Sequence, residues 1–314
     1  MYRILITTCI GVLLLGYALI IYIPGTLNSA PVSFPIHTQV IIEEGMTHRD
    51  ITNLLEDRGV VRSSLYLYYL LSQKFEGLYA KAGIYEFDTP LTAYKIAETI
   101  TTGANIVPIV SVTFPEGFSV KDMHDYLPPL LAEADTSGLM SYEGYLFPDT
   151  YFISKDSTLE DLIALMQETF EAKIKTVSEK IIASGLTQEE VIILASIIER
   201  EAKDIDSKRK VAGILHNRLN VGMPLQVDAT FTYILGKTSA ELTQDDLDID
   251  SPYNTYTNTG LPPTPISNPG MESILAALEP VDTEYLYYLT DNAGVFHYAK
   301  TFEQHKANKS RYLR

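Results

Sequence analysis

Two glutamates, Glu199 and Glu201, close an apolar run that begins at Val191. Their neighbourhood reads as a helix. Thr187 and Glu190 form a capping-box pair, so the helix is predicted from Gln188 to about Lys203. Val191, Ile192, Ala195 and Ile198 recur at three- and four-residue steps, the signature of one buried face. Glu199 falls on that stripe and Ala202 continues it, whereas Glu201 lies about 200° around the helix from Glu199 and is expected to face water. Burial disfavours the charged form of a carboxyl and raises its pKa, which is what a general acid needs near neutral pH. Glu199 is therefore the candidate catalytic acid. The plainer alternative is a structural glutamate paired with Arg209 or Arg218.

Polar and aromatic residues that suit a sugar groove lie on both sides of this helix. They are Glu143 upstream, then Asn217, Arg218, Gln226, Asp228, Tyr253, Asn254 and Tyr256 downstream. Amides hold hydroxyls and tyrosine rings stack on pyranose faces. The six histidines (His37, His48, His124, His216, His297 and His305) show no helical ligand spacing and no HExxH phrase, so no metal is expected. No glycine-rich dinucleotide or P-loop phrase occurs, so no cofactor is expected either.

These residues need a frame. A strand, a glycine turn and a capped helix occur twice, around Gly45-Met46-Thr47 and again around Gly117-Phe118-Ser119. The first copy opens a small α+β module over residues 37–107. It has a strand at Gln39–Ile42, helices at Thr47–Arg58 and Ser63–Lys74, and a returning strand at Gly83–Phe87. The second opens a larger mixed α/β domain over 108–314. Its helices are predicted at Thr158–Thr176, Gln188–Lys203, Lys208–Leu219 and Met271–Leu278. A turn and short strand are expected at Gly222–Asp228, and two strands at Leu286–Thr290 and Val295–Ala299. The fold class is α+β.

Ile4–Ile23 is 20 residues without a charge, about 30 Å as a helix, enough to span a bilayer. Arg3, the sole charged side chain before residue 37, sets the N-terminus in the cytoplasm and the bulk of the chain outside. The segment through residue 24 is read as a retained single-pass anchor in the cell membrane, and 25–36 as a proline-marked linker. The net charge of −16 disfavours a nucleic-acid partner. The one cysteine, Cys9, permits no intrachain disulfide.

Five phrases in order resemble the YceG-like (MltG) family of endolytic murein transglycosylases. They are EGYLFPDTY at Glu143–Tyr151, LASIIERE at Leu194–Glu201 and NRLNVGMPLQVD at Asn217–Asp228, then SPYNTYTNTGLPPTPISNPG at Ser251–Gly270 and HYAKTFEQH at His297–His305. Val227, Ala229 and Thr264 depart from residues frequent in that family, which bears on loop shape rather than chemistry. The resemblance implies cleavage of the β-1,4 bond between N-acetylmuramic acid and N-acetylglucosamine inside nascent strands. It further implies a 1,6-anhydro product, a role in ending strand elongation, no cofactor, a LysM-like N-terminal module and work beside peptidoglycan synthases. It also assigns the catalytic role to Glu199. The alternative class is a non-catalytic, wall-binding scaffold, which would not need Glu199.

Overall fold

The computed structural model describes residues 24–104, 106–107, 109–131, 134–136 and 138–313. The proposed membrane segment through Ile23 lies outside them. The chain divides into two compact units. One takes in the chain up to Val110 together with Phe152–Asp156; the other is Ser111–Tyr151 with Ser157–Arg314.

The N-terminal unit holds a three-stranded antiparallel sheet in the order β1 (Val40–Ile42), β2 (Gly83–Tyr85), β3 (Ile106–Val107). Val40 pairs with Tyr85 and Ile42 with Gly83, then Tyr85 pairs with Ile106. Gly83 is required here: a Cβ would stand 2.4 Å from the Ile106 side chain. Helices α1 (His48–Asp57) and α2 (Ser64–Gln73) fill the β1–β2 connection, the first started by the expected N-cap Thr47 and the second capped by Ser63. A third helix, α3 (Ala93–Thr102), was not foreseen; Thr92 caps it and Gly103 ends it in the left-handed conformation. Ile42, Leu55, Leu67, Leu71, Ile96 and Ile100 belong to one core. Residues 24–28, expected as linker, are helical.

In the second unit β4 (Ile109–Thr113) pairs with β5 (Thr150–Ser154), and both strands straddle the division between units. α4 (Val120–Asp125) follows β4, started by a Ser119–Asp122 capping box. Next come α5 (Leu159–Lys175), α6 (Ser178–Ser184), α7 (Gln188–Glu201) and α8 (Ile205–Asn220). α9 (Ala229–Leu235), α10 (Gln244–Leu247), α11 (Met271–Leu278), the β6–β7 hairpin (Tyr287–Thr290 and Phe296–Ala299) and α12 (Phe302–Tyr312) complete the unit. The strand expected within Gly222–Asp228 is absent: Gln226 sits at φ 48°, outside any strand conformation.

α7 is the centre of this unit. Every residue from Val191 to Ile198 is buried, and α8 and α11 pack against it. A helix apolar on all sides is an interior helix, so its sequence carries no solvent face. The proline-rich loop is fastened to it through buried hydroxyls. Ser196 Oγ accepts the Ile266 N–H at 3.1 Å, and Ser267 Oγ donates to the Ser196 carbonyl at 3.1 Å. Among the described residues no single helix is long and apolar enough to cross a bilayer.

Candidate active site

The last turn of α7 sends its two glutamates to different places. Glu199 is fixed among polar groups. Its Oε1 accepts from Lys208 Nζ at 2.9 Å, and its Oε2 accepts the Gly270 N–H at 3.0 Å. The Lys208 side chain is 2% exposed and that of Glu199 7%, so this is an interior ion pair, with Glu272 a further 3.8 Å from the ammonium. Gly270 starts α11 and has no side chain to cap it; the Glu199 carboxylate takes that place at the helix N-terminus. A Cβ at Gly270 would fall 1.8 Å from Glu116 Oε1, so the close approach needs glycine. Burial and the neighbouring Glu199 push the Glu116 carboxyl upward.

Glu201 lines a groove of about 950 Å³, whose other walls include Arg218, Gln226, Asp228, Tyr256, Tyr287 and Tyr288. Its Oε2 accepts from the Tyr288 hydroxyl at 2.8 Å. Burial raises its pKa to about 6, opposed by the Tyr288 hydrogen bond, assisted by the Asp228 charge, and opposed again by the Ala229 N–H and Arg218. The periodicity argument holds for Glu199, whose side chain is buried, and is corrected for Glu201. The inward acid on the stripe, Glu199, has both oxygens occupied by donors from Lys208 and Gly270. The acid expected to face water, Glu201, faces the groove, because β6 and the turn at 226–229 cover that side of the helix end.

Four of the eight sequence-predicted binding residues join Glu201 in the groove. Arg218 is buried, donating from Nε to the Leu286 carbonyl at 2.6 Å and from a terminal nitrogen to the Leu225 carbonyl, with its guanidinium 5.5 Å from the Tyr287 ring centre. Asp228 Oδ1 accepts from the Tyr256 hydroxyl at 2.6 Å, and the Tyr256 ring meets Phe231 edge-on. Gln226 presents its side chain from the left-handed turn.

The other four do structural work elsewhere. Glu143 is buried, accepting the Val120 N–H and Asn268 Nδ2, and burial lifts its pKa to about 7. Asn217 donates to the Thr283 and Tyr285 carbonyls at 2.7 and 3.1 Å. Asn254 is fully buried and knots its loop through the Leu247 and Ile249 carbonyls. The Tyr253 hydroxyl meets Thr264 Oγ1 at 2.6 Å, and its ring packs on Tyr233.

Sequence reasoning missed Tyr287 and Tyr288 on β6 and Phe302, His305 and Lys309 on α12 as groove residues. Tyr287 and Tyr288 fall in a strand that was expected, so a pairing of that strand with the end of α7 was the missing signal. His305 stacks on Tyr287, with ring centres 5.4 Å apart; burial lowers its pKa, and the Lys309 and Arg218 charges add to this. Among the described residues, one triad has metal-ligand proximity: His37, Glu86 and Asp88. All three are exposed, belong to the N-terminal unit and contribute nothing to the groove.

An interior helix that delivers one raised-pKa carboxyl to a tyrosine-lined groove has the parts of an acid–base site. The relatives agree with that class. Residues 40–311 match the model of the YceG-like family, and the chain belongs to that family. It is 32% identical over 301 residues to an endolytic murein transglycosylase of Bacillus subtilis, covering 87% of this chain and 84% of that protein. It is 28% identical over 324 residues to an endolytic murein transglycosylase of Streptococcus pneumoniae, of whose length it spans 58%. A crystal structure of a YceG-like protein from Listeria monocytogenes superposes with a TM-score of 0.57 at 29% identity, covering 86% of this chain and 98% of that one.

Proposed function

We propose that this protein is a lytic transglycosylase that cuts peptidoglycan strands internally, with Glu201 as the acid and then the base; Glu199, which borders a smaller cleft of about 300 Å³ with Glu116 and Phe118, is the alternative. The observation that carries the assignment is the Glu201 carboxyl on the groove wall, its pKa raised to about 6. At pH 7 about a tenth of such groups hold the proton that the first step donates, and that donation leaves the carboxylate the second step needs.

The reaction needs no second carboxylate when the substrate supplies the nucleophile. Glu201 gives its proton to the glycosidic oxygen as the bond from the muramyl C1 breaks, releasing the N-acetylglucosamine hydroxyl. The resulting carboxylate then takes the proton of the muramyl 6-hydroxyl while O6 bonds to C1. No water is consumed, and Glu201 ends protonated as it began. Tyr288 orients Glu201 through its hydrogen bond, and Asp228, held by Tyr256, adds negative charge beside the cationic carbon. Support for peptidoglycan as substrate comes from the names of the relatives.

The same reading includes an N-terminal membrane anchor at Ile4–Ile23 with the remaining chain outside, supported by that uncharged stretch. It also includes a LysM-like N-terminal unit, supported by the β1–α1–α2–β2 order. Mass analysis of products from un-crosslinked strands tests the chemistry: 1,6-anhydro ends are expected, and reducing muramyl ends would refute the scheme.

A further inference from the structure

α2 of the N-terminal unit carries no charge on any side, yet only one side is covered. Residues 63–73, between Arg62 and Lys74, contain no charge. Leu67, Leu70 and Leu71 enter the core. Leu65, Tyr68 and Tyr69 remain 77%, 45% and 51% exposed. Steps of three and four residues place these three on a single face. A surface helix ordinarily carries charges on its outer side; this one has none, and its outer face offers leucine and tyrosine before ending in Ser72 and Gln73, which suits the boundary between an apolar phase and water.

We propose that this face of α2 lies in the headgroup region of the membrane, an inference that rests on the membrane-anchored reading above. Two observations select lipid as the occupant. First, the chain from the uncharged segment is pinned to this helix. Arg62, three residues before Leu65, donates to the Ser29 and Ala30 carbonyls at 2.8–3.2 Å. Asn28 Oδ1 accepts the N–H of Tyr94, itself 46% exposed. Residues 24–28 are helical, so Asn28 lies only about 6 Å along the helix from residue 24. That distance is comparable to the depth of one interfacial layer of a bilayer. Secondly, the side chains are those that favour that layer: tyrosine carries an apolar ring with a polar tip, and leucine supplies anchorage without charge. The net charge of the chain opposes attraction to anionic lipid, so docking is expected on zwitterionic bilayers as well.

The chain contains no tryptophan, so a single substitution creates a sole indole reporter. Full-length Leu65→Trp, Tyr69→Trp and Tyr126→Trp variants are reconstituted into phosphatidylcholine vesicles with and without brominated acyl chains. Tyr126 is 57% exposed in the second unit and serves as the reference. Blue-shifted emission at positions 65 and 69, quenched by brominated lipid at least threefold more than at 126, is the expected result. Unquenched emission at both positions from protein that floats with the vesicles overturns the docking and leaves the anchor standing. A blue shift without quenching also overturns it, by placing the face against protein. Failure to float refutes the anchor and the docking together.

Discussion

Glu199 and Glu201 stand two residues apart and should fail in opposite ways. In Glu199→Gln one side of the Lys208 ion pair is lost, and an ammonium 2% exposed is left without its nearest counter-charge. Breaking a buried pair from one side costs about 3–5 kcal/mol, because the remaining charge stays desolvated. For a unit of this size each kcal/mol lowers Tm by roughly 2–4 °C, so a fall on the order of 10 °C is expected. Glu272, 3.8 Å from the same ammonium, places the effect toward the lower end. Glu201→Gln removes a dissociable proton while its amide oxygen still accepts from Tyr288, so Tm should move by less than about 3 °C. Cleavage should fall by about 10²–10⁴, the usual worth of a positioned acid–base group. The assay pairs calorimetry with product release from un-crosslinked strands at 25 °C, where both variants are folded. A Glu199→Gln/Lys208→Met double variant should regain much of the lost stability, since it removes both charges. A Glu199→Gln protein with wild-type Tm and no activity, beside an active Glu201→Gln, would refute the assignment.

The alkaline limb of the activity profile should lie near pH 6, and two substitutions should move it in opposite directions. Tyr288→Phe removes a hydrogen bond that favours charged Glu201 and shifts the limb up; Asp228→Asn removes a negative charge and shifts it down, with 1,6-anhydro ends unchanged in mass spectra. Glu143 is buried with its pKa raised to about 7 from 4.5, so the native state binds the proton more tightly than the unfolded chain. Its contribution is complete below about pH 4.5 and lost as pH rises through 7; denaturant titrations should show up to about 3 kcal/mol of decline, flattened in Glu143→Gln. Gly213→Ala should destabilise by about 1–3 kcal/mol in the same titrations, despite alanine's better helix propensity, because a Cβ there would stand 2.2 Å from the Val281 carbonyl oxygen.

Much of the frame could be read from caps and periodicity. Thr47, Ser63, Ser119, Thr158 and Thr187 each start the helix they announce, since a side chain that satisfies the free N–H groups acts locally and is visible locally. The misses have separate causes. α9 has only seven residues, and α12 is a helix of 11 residues with none buried, so no apolar stripe marks it; α3, as long as α1 and capped by Thr92, was legible and was overlooked. Gln226 adopts a left-handed conformation that its residue type does not advertise, and the expected strand gives way to a turn.

The unexpected direction of Glu201 has a different origin. A helical wheel ranks faces by contrast between apolar and polar sides, and the contrast disappears when eight consecutive residues are buried. In α7 both directions around the last turn lead indoors. One leads to the N-terminus of α11, where Lys208 and the Gly270 N–H await a carboxylate; the other leads to β6 and Asp228, where a tyrosine hydroxyl and a negative charge do. Those partners come from 9, 71, 87 and 27 residues away, all beyond the three- and four-residue neighbours of a helix. The LASIIERE phrase located the helix end but held two acids within it. The groups around each carboxyl differ: Glu199 meets an ammonium and the N-terminus of α11, whereas Glu201 lies on a groove where burial raises its pKa to about 6.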